Sequence, residues 1–309
     1  SYKAGLTRTM EQVPPLLPMI MREGLSFIVP VTLLIVLLVM GYTPTYAAVI
    51  AIIAVIVSSW FTPNKMGFSA IADALALGSR NMVVTAVLLC SVGLIVNVIA
   101  TAGIGNTFSL MITEWSGGSL LIALLLVAVA SLVLGMGLPV TASYIVLATL
   151  SAPALLQLMA NVELVNALSS GALSADVQAM LMLVGLSPEQ GAMSVAQAQT
   201  LINDMPDEMM GLLRPMLLDE HQLSMLLLAA HLVIFWLSQD SNVTPPVCLC
   251  TFTAAAIAKS PPMATGFTSW KIAKGLYIVP LLFAYTNFIG GTGLEVFSIF
   301  VFAMFGLYA

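Results

Sequence analysis

Two long apolar stretches of this chain are each broken in the middle by a cluster of glycine, proline and threonine, and both resume in the same way. The first break reads Gly135-Met136-Gly137-Leu138-Pro139-Val140-Thr141 and leads into Ala142 to Leu158. The second reads Ser241-Asn242-Val243-Thr244-Pro245-Pro246 and leads into Val247 to Ala258. Hydrocarbon offers no partner for a freed N–H or C=O, so irregular backbone survives at depth only inside protein or beside a water-filled site, where it can hold an ion or a solute. A matched pair of such breaks implies a carrier.

Hydrophobic residues make up 60% of the 309 and charged residues only 7%, against about a quarter charged in soluble domains. A soluble globular domain is excluded; this is an all-α integral membrane protein whose length accommodates several spans of roughly 20 residues and re-entrant pieces as well. The net charge of −5 is local, because Glu163, Asp176, Glu189, Asp204, Asp207, Glu208, Asp219 and Glu220 crowd one polar insert. Nothing points to nucleic acid; the expected surrounding is a lipid bilayer. Cys90, Cys248 and Cys250 sit in apolar runs without metal-ligand spacing and read as small buried hydrophobes. The chain starts at Ser1 with no signal-peptide pattern, which reads as a piece of something longer.

The order of segments follows from apolar runs and charge. Residues 1–24, mixed and partly charged around Pro14-Pro15, suit a cytoplasmic or interfacial linker. Residues 25–104 hold three transmembrane helices: 25–41, 46–61 after the turn Tyr42-Thr43-Pro44-Thr45, and 83–104. Between the last two, Lys65, Asp73 and Arg80 interleave with Met66, Phe68, Ile71, Leu75 and Leu77 and predict an interfacial amphipathic helix over 62–82. Residues 105–159 are read as a re-entrant hairpin and 160–222 as an acidic periplasmic insert. Residues 223–258 are read as a broken transmembrane helix, and 259–309 as a cytoplasmic loop followed by the C-terminal transmembrane helices.

The hairpin rests on a length argument and a charge argument. The stretch 119–159 would run roughly 60 Å as one helix, twice the ~30 Å of hydrocarbon. It therefore turns at 135–141, either between two full crossings or as a hairpin that leaves by the side it entered. With the N-terminus inside, both versions place eight of the nine basic residues in the cytoplasm and leave only Arg214 opposed, whereas a single crossing does not. The 16-residue first limb favours the hairpin.

At the first break, glycine permits unusual backbone angles, Pro139 removes a donor, and Thr141 and Ser143 add hydroxyl oxygens beside exposed carbonyls. Such oxygens without a carboxylate suit a weakly held monovalent cation; an ordinary turn between helices packed by small residues is the plainer reading. At the second, Asn242 and Thr244 offer side-chain oxygens while Pro245-Pro246 frees preceding carbonyls; a kinked helix without a ligand is its plainer reading. In both places a small-residue half-helix begins, and half-helix N-termini attract anions such as a carboxylate. His231, alone in an apolar run, reads as a packing residue ahead of a proton carrier. Asp240, just before the break, reads either as an ion ligand or as the rim of a water-accessible cavity.

These residues also carry a resemblance. Leu134 to Ala148 (LGMGLPVTASYIVLA), Ala152-Pro153-Ala154-Leu155, Ala230-His231-Leu232 leading to Thr244-Pro245-Pro246-Val247, and upstream Phe27-Ile28-Val29-Pro30 with Gly41 to Ala48 are similar to the fused permeases of tripartite ATP-independent periplasmic (TRAP) transporters. The resemblance implies the C-terminal half of the large membrane subunit, itself half of an inverted-repeat elevator transporter in the bacterial inner membrane. It would carry organic acids with sodium as the coupling ion. Its partners would be a periplasmic solute-binding protein and a small membrane subunit or the upstream half of the same fused chain. It further implies that Gly135, Gly137, Thr141, Asn242 and Thr244 hold sodium, and that Pro139, Thr141, Ser143, Asn242, Thr244 and Pro245 face the solute. The alternatives are a passive channel, which needs a continuous pore, and an intramembrane enzyme or scaffold. An intramembrane enzyme needs paired aspartates or clustered histidines, and no catalytic residue is expected here.

Overall fold

The computed structural model describes residues 24–63, 65–136, 138–170, 173–183, 193–246 and 248–308. Every regular element among them is helical, as composition and apolar run lengths require. The chain divides into two compact units, residues 1–87 and 88–309; the expected linker at 1–24 lies, save its last residue, outside the described residues.

In the first unit, α1 (Leu25–Val39) packs on α2 (Pro44–Ser59). The turn between them follows from local chemistry: Gly41 takes φ +85°, the Thr43 hydroxyl accepts from the Tyr46 N–H at 3.4 Å, and Pro44 opens the next helix. The division between units falls within α3 (Phe68–Thr101), 34 residues without a break. The sequence reading placed an interfacial helix at 62–82 and a separate span at 83–104, and the backbone is instead continuous. Asp73 and Arg80 change the polarity of the helix without interrupting its hydrogen bonds, and no proline stands between 68 and 101.

The second unit continues with α4 (Ile104–Ser116), set between Gly103 and Gly117, both left-handed, then α5 (Leu120–Gly135) and α6 (Val140–Ser169). The buried positions of α5 are Leu120, Ala123, Leu124, Val127, Ser131 and Gly135, one stripe at helical spacing that runs into the first break. On α6, Ala142, Ser143, Ala148, Ser151, Ala152 and Ala154 are buried; small side chains let helix backbones approach, the packing mode that works where lipid is as apolar as leucine. Ser109 of α4 donates to the Leu150 carbonyl at 2.8 Å. Helix α6 does not end near 159: Ala160, Leu164 and Leu168 continue its buried face, with Glu163 and Asn166 turned off it.

Beyond it come α7 (Ala175–Leu183), α8 (Val195–Asp204), α9 (Asp207–Leu217) and α10 (Glu220–Gln239). Ser194 with Gln197, and Asp219 with Gln222, form reciprocal caps at the starts of α8 and α10. The polar insert has a core of its own, in which Leu164, Leu168, Val177, Leu181, Ala198 and Leu213 are fully buried. The main core joins α4, α5, α6 and α10 to Phe283. After the second break, α11 (Leu249–Ala258), α12 (Pro262–Ile272), α13 (Lys274–Tyr285) and α14 (Gly293–Tyr308) complete the chain; α12 occupies part of what was expected to be a loop. Phe283 of α13 meets Trp236 of α10 edge-on, ring centres 6.0 Å apart.

Three helical segments, Phe68–Thr101, Val140–Ser169 and Glu220–Asn242, are long and apolar enough to cross a membrane, and shorter apolar helices accompany them. Of the cysteines, all free, only Cys248 is buried; Cys90 and Cys250 lie on exposed faces. An apolar run does not by itself say whether protein or lipid covers a given side of it.

Candidate functional site

Helix α5 stops at Gly135 and α6 starts at Val140. Pro139 stands between them at φ −59°, ψ 153°, outside helical geometry, and its carbonyl accepts from the Ser143 N–H at 2.9 Å. The first N–H groups of α6 therefore have no intrahelical acceptor. Gly137 lies outside the described residues.

Helix α10 ends differently. It tightens into a 3₁₀ turn over Asp240–Asn242, the Asp240 carbonyl accepts from the N–H groups of both Val243 and Thr244, and the backbone then runs irregularly through Pro245 and Pro246 to Cys248, where φ is +20°. Two successive prolines have no N–H to continue the ladder. Gly266 of α12 lies against this segment: a Cβ there would stand 3.0 Å from the Cys248 sulfur and 3.6 Å from Pro245.

The two breaks meet. A Cβ placed on Gly135 would fall 2.5 Å from both the Cβ and the Oγ of Ser241, so the end of α5 touches the 3₁₀ turn at a separation that only glycine allows. Several oxygens on the elements that carry the two breaks are buried without a partner among the described residues. Asp240 is 3% exposed with Oδ1 unpartnered, Ser143 is 0% exposed and Ser131 is 1% exposed, each with Oγ unpartnered. Ser131 precedes Gly135 by one turn on the same buried stripe. Buried oxygens are ordinarily satisfied, and oxygens left open beside unwound backbone are the donor set a hard monovalent cation requires.

The sequence-derived candidates separate on this geometry. Gly135 is buried at the junction, Ser143 is buried in the first turn of α6, and Thr244 is buried with its hydroxyl 2.6 Å from the Tyr277 hydroxyl of α13. Asn242 is half-buried, and its Oδ1 accepts only a 3.7 Å contact from the Cys250 thiol. Pro245 is half-buried, while Pro139 and Thr141 are exposed. His231 packs between helices, its Nδ1 3.1 Å from the Tyr144 hydroxyl. Sequence reasoning assigned nothing to Ser131 or Tyr277, and named Ser241 only as the first residue of the second break. The spacing of Ser131 one turn before Gly135 is a usable signal; Tyr277, 33 residues from its partner, leaves none.

Elsewhere a cleft of about 330 Å³ opens between α6, the start of α10 and the α13–α14 connection, lined in part by Glu163, Asn166, His221, Asn287 and Glu295. It contains no residue of either break, and no Lys or Arg stands among its lining residues. Among the described residues no group of three or more His, Cys, Asp or Glu could hold a metal ion.

Residues 1–289 match the sequence model of the family described as tripartite ATP-independent periplasmic transporter, DctM component. The chain belongs to that DctM family. No curated protein and no solved structure matches it. A DctM-family chain is a membrane component of a TRAP transporter and not an enzyme, so the intramembrane-enzyme alternative falls. Its apolar helices agree with a multi-pass membrane protein.

Proposed function

We propose that this chain forms the solute- and ion-binding half of a TRAP permease that takes up organic acids, coupled to sodium, across the bacterial inner membrane. A periplasmic binding protein delivers the solute. A small membrane subunit, or an upstream half of the same fused chain, completes the permease. The reading rests on one observation, the contact of Gly135 with Ser241, with unpartnered oxygens at the neighbouring Asp240 and, on the two limbs of the first break, at Ser131 and Ser143.

In this reading sodium is held between the breaks by the Asp240 carboxylate, the Ser143 hydroxyl and carbonyls around Gly135 and Gly137, with Thr141 and Asn242 at its edge. The solute's carboxylate lies against the N-terminal end of α6 beyond Pro139 and against Thr244 and Pro245, where unpaired N–H groups and a helix dipole favour negative charge. An ion beside Asp240 offsets a buried negative charge that would otherwise be costly. The ion offsets the charge of Asp240, and the α6 terminus with its unpaired N–H groups offsets that of the solute, so the loaded site moves through the bilayer in an elevator step.

The test is uptake by the full-length transporter in proteoliposomes, with its binding protein, under an inward sodium gradient. Asp240→Asn is expected to abolish the sodium dependence, and Thr141→Ala to weaken it. Uptake indifferent to sodium in the parent protein refutes the coupling. Flux in both directions without a gradient and without the binding protein favours a passive channel instead.

A further inference from the structure

The hydroxyl of Thr244 is engaged at 2.6 Å by a side chain of α13, and the identity of that side chain bears on what Thr244 can bind. Tyr277, on α13, places its phenol oxygen 2.6 Å from Thr244 Oγ1. Trp270, on α12, also approaches the phenol of this tyrosine. The three residues lie in sequence order Thr244, Trp270, Tyr277 and come from three separate elements around the unwound segment.

Donor inventory gives this chain a direction. An indole N–H only donates, so toward the phenol oxygen Trp270 can act only as a donor. Tyrosine and threonine each have one hydroxyl proton. A phenol, with pKa about 10, is the stronger donor, and an aliphatic hydroxyl the better acceptor. Tyr277 therefore donates to Thr244. The opposite arrangement would make the phenol accept twice and leave its own proton unused, with successive dipoles opposed rather than aligned. Aligned chains strengthen one another by polarisation. Thr244 consequently keeps its own proton free at the end of the chain, and that hydroxyl has no other partner among the described residues. Its backbone N–H is already used by the Asp240 carbonyl at 2.9 Å. A hydroxyl held as an acceptor on one side and polarised as a donor on the other suits an anionic oxygen better than a cation.

We propose that Tyr277 and Trp270 are positioning residues that present the Thr244 hydroxyl as a donor to the solute's carboxylate, which assigns Thr244 to the solute and leaves sodium to the oxygens around Asp240 and Gly135. The proposal rests on the sodium-coupled organic-acid reading above and divides its site into an anion side and a cation side.

The experiment separates the two sides in the full-length transporter. The sodium side is read by the stabilisation that sodium chloride, compared with potassium chloride, confers on the purified solute-free protein against thermal unfolding. The solute side is read by the KM for uptake, with its binding protein present, of the organic acid identified by mass spectrometry in that purified binding protein. Thr244→Val is expected to raise the KM about tenfold or more, the scale of a hydrogen bond to a charged group. Tyr277→Phe is expected to raise it about twofold to threefold, the scale of lost polarisation. Thr244→Ser keeps the hydroxyl and the parent KM, and all three variants keep the parent's sodium midpoint. A sodium midpoint that moves in Tyr277→Phe or Thr244→Val, or a KM unchanged in both, overturns the assignment. Should Tyr277→Phe fail to fold, Trp270→Phe leaves both hydroxyls in place and is expected to give a smaller KM rise with the same sodium midpoint. A parent protein that sodium does not stabilise refutes the coupling reading, while the KM comparison of Thr244→Val with Thr244→Ser still decides the solute contact.

Discussion

Gly135→Ala is the smallest change that tests whether the two breaks touch. The added Cβ would lie 2.5 Å from both the Cβ and the Oγ of Ser241, where carbon atoms in contact settle at about 3.5–4.0 Å. The deficit is about 1 Å. A rotamer change cannot relieve it, because one of the two obstructing atoms is the Ser241 Cβ, which moves only with its backbone. Either the 3₁₀ turn Asp240–Asn242 or the end of α5 must shift. Overpacking of this kind costs about 1–3 kcal/mol, and alanine's better helix propensity returns about 0.5–1 kcal/mol, for a net loss of up to about 2 kcal/mol.

The assay is unfolding of the detergent-solubilised full-length protein for Gly135→Ala, Ser241→Gly and the double variant. Ser241→Gly removes both obstructing atoms, so the double variant should recover the loss, with a coupling energy of about 1–2 kcal/mol. The same set should show sodium affinity falling in Gly135→Ala and returning in the double variant. A double variant no better than the sum of its parts would refute the contact and with it the argument that the breaks form one site.

Three further outcomes follow from particular side chains. Ser131→Ala removes a buried hydroxyl with no partner, so the solute-free protein is expected to be as stable as the parent or more so, by up to about 1 kcal/mol, as read by thermal unfolding without sodium; a clear loss would mean the hydroxyl is satisfied. Tyr144→Phe keeps the ring against Phe235 but deletes the hydrogen bond to His231, and unfolding should show a loss of about 1 kcal/mol. Leu213→Ala opens a hole in the insert's own core at a cost of about 2–5 kcal/mol; amide exchange should rise in α7, α8 and α9 and stay unchanged around Gly135, and equal change in both places would show that the insert is not a separate packing unit.

The interruptions of helix at 136–139 and 243–248 were legible because glycine and proline act on their own backbone and their neighbours', whatever the rest of the chain does. The same holds for the turn at 42–45, where Pro44 opens α2. Polarity misled where it changed without a backbone consequence. Asp73 and Arg80 suggested two elements where α3 is one, and Glu163 suggested an end to α6 where Leu164 and Leu168 carry its buried face onward. The acidic insert was readable as polar but not as packed, because its apolar positions are spread over four short segments that share a core only once folded.

At the site, residue type and local spacing disclosed which segments unwind, and Ser143 and Asp240 were visible as oxygens near them. Composition and the two interruptions determined a helical membrane protein with open backbone at two points. The fold alone decided that Gly135 meets Ser241, that Ser131 Oγ, Ser143 Oγ and Asp240 Oδ1 have no partner among the described residues, and that Tyr277 reaches Thr244. Those facts join residues dozens to more than a hundred positions apart, and such distances are set by helix packing, to which no local sequence rule extends.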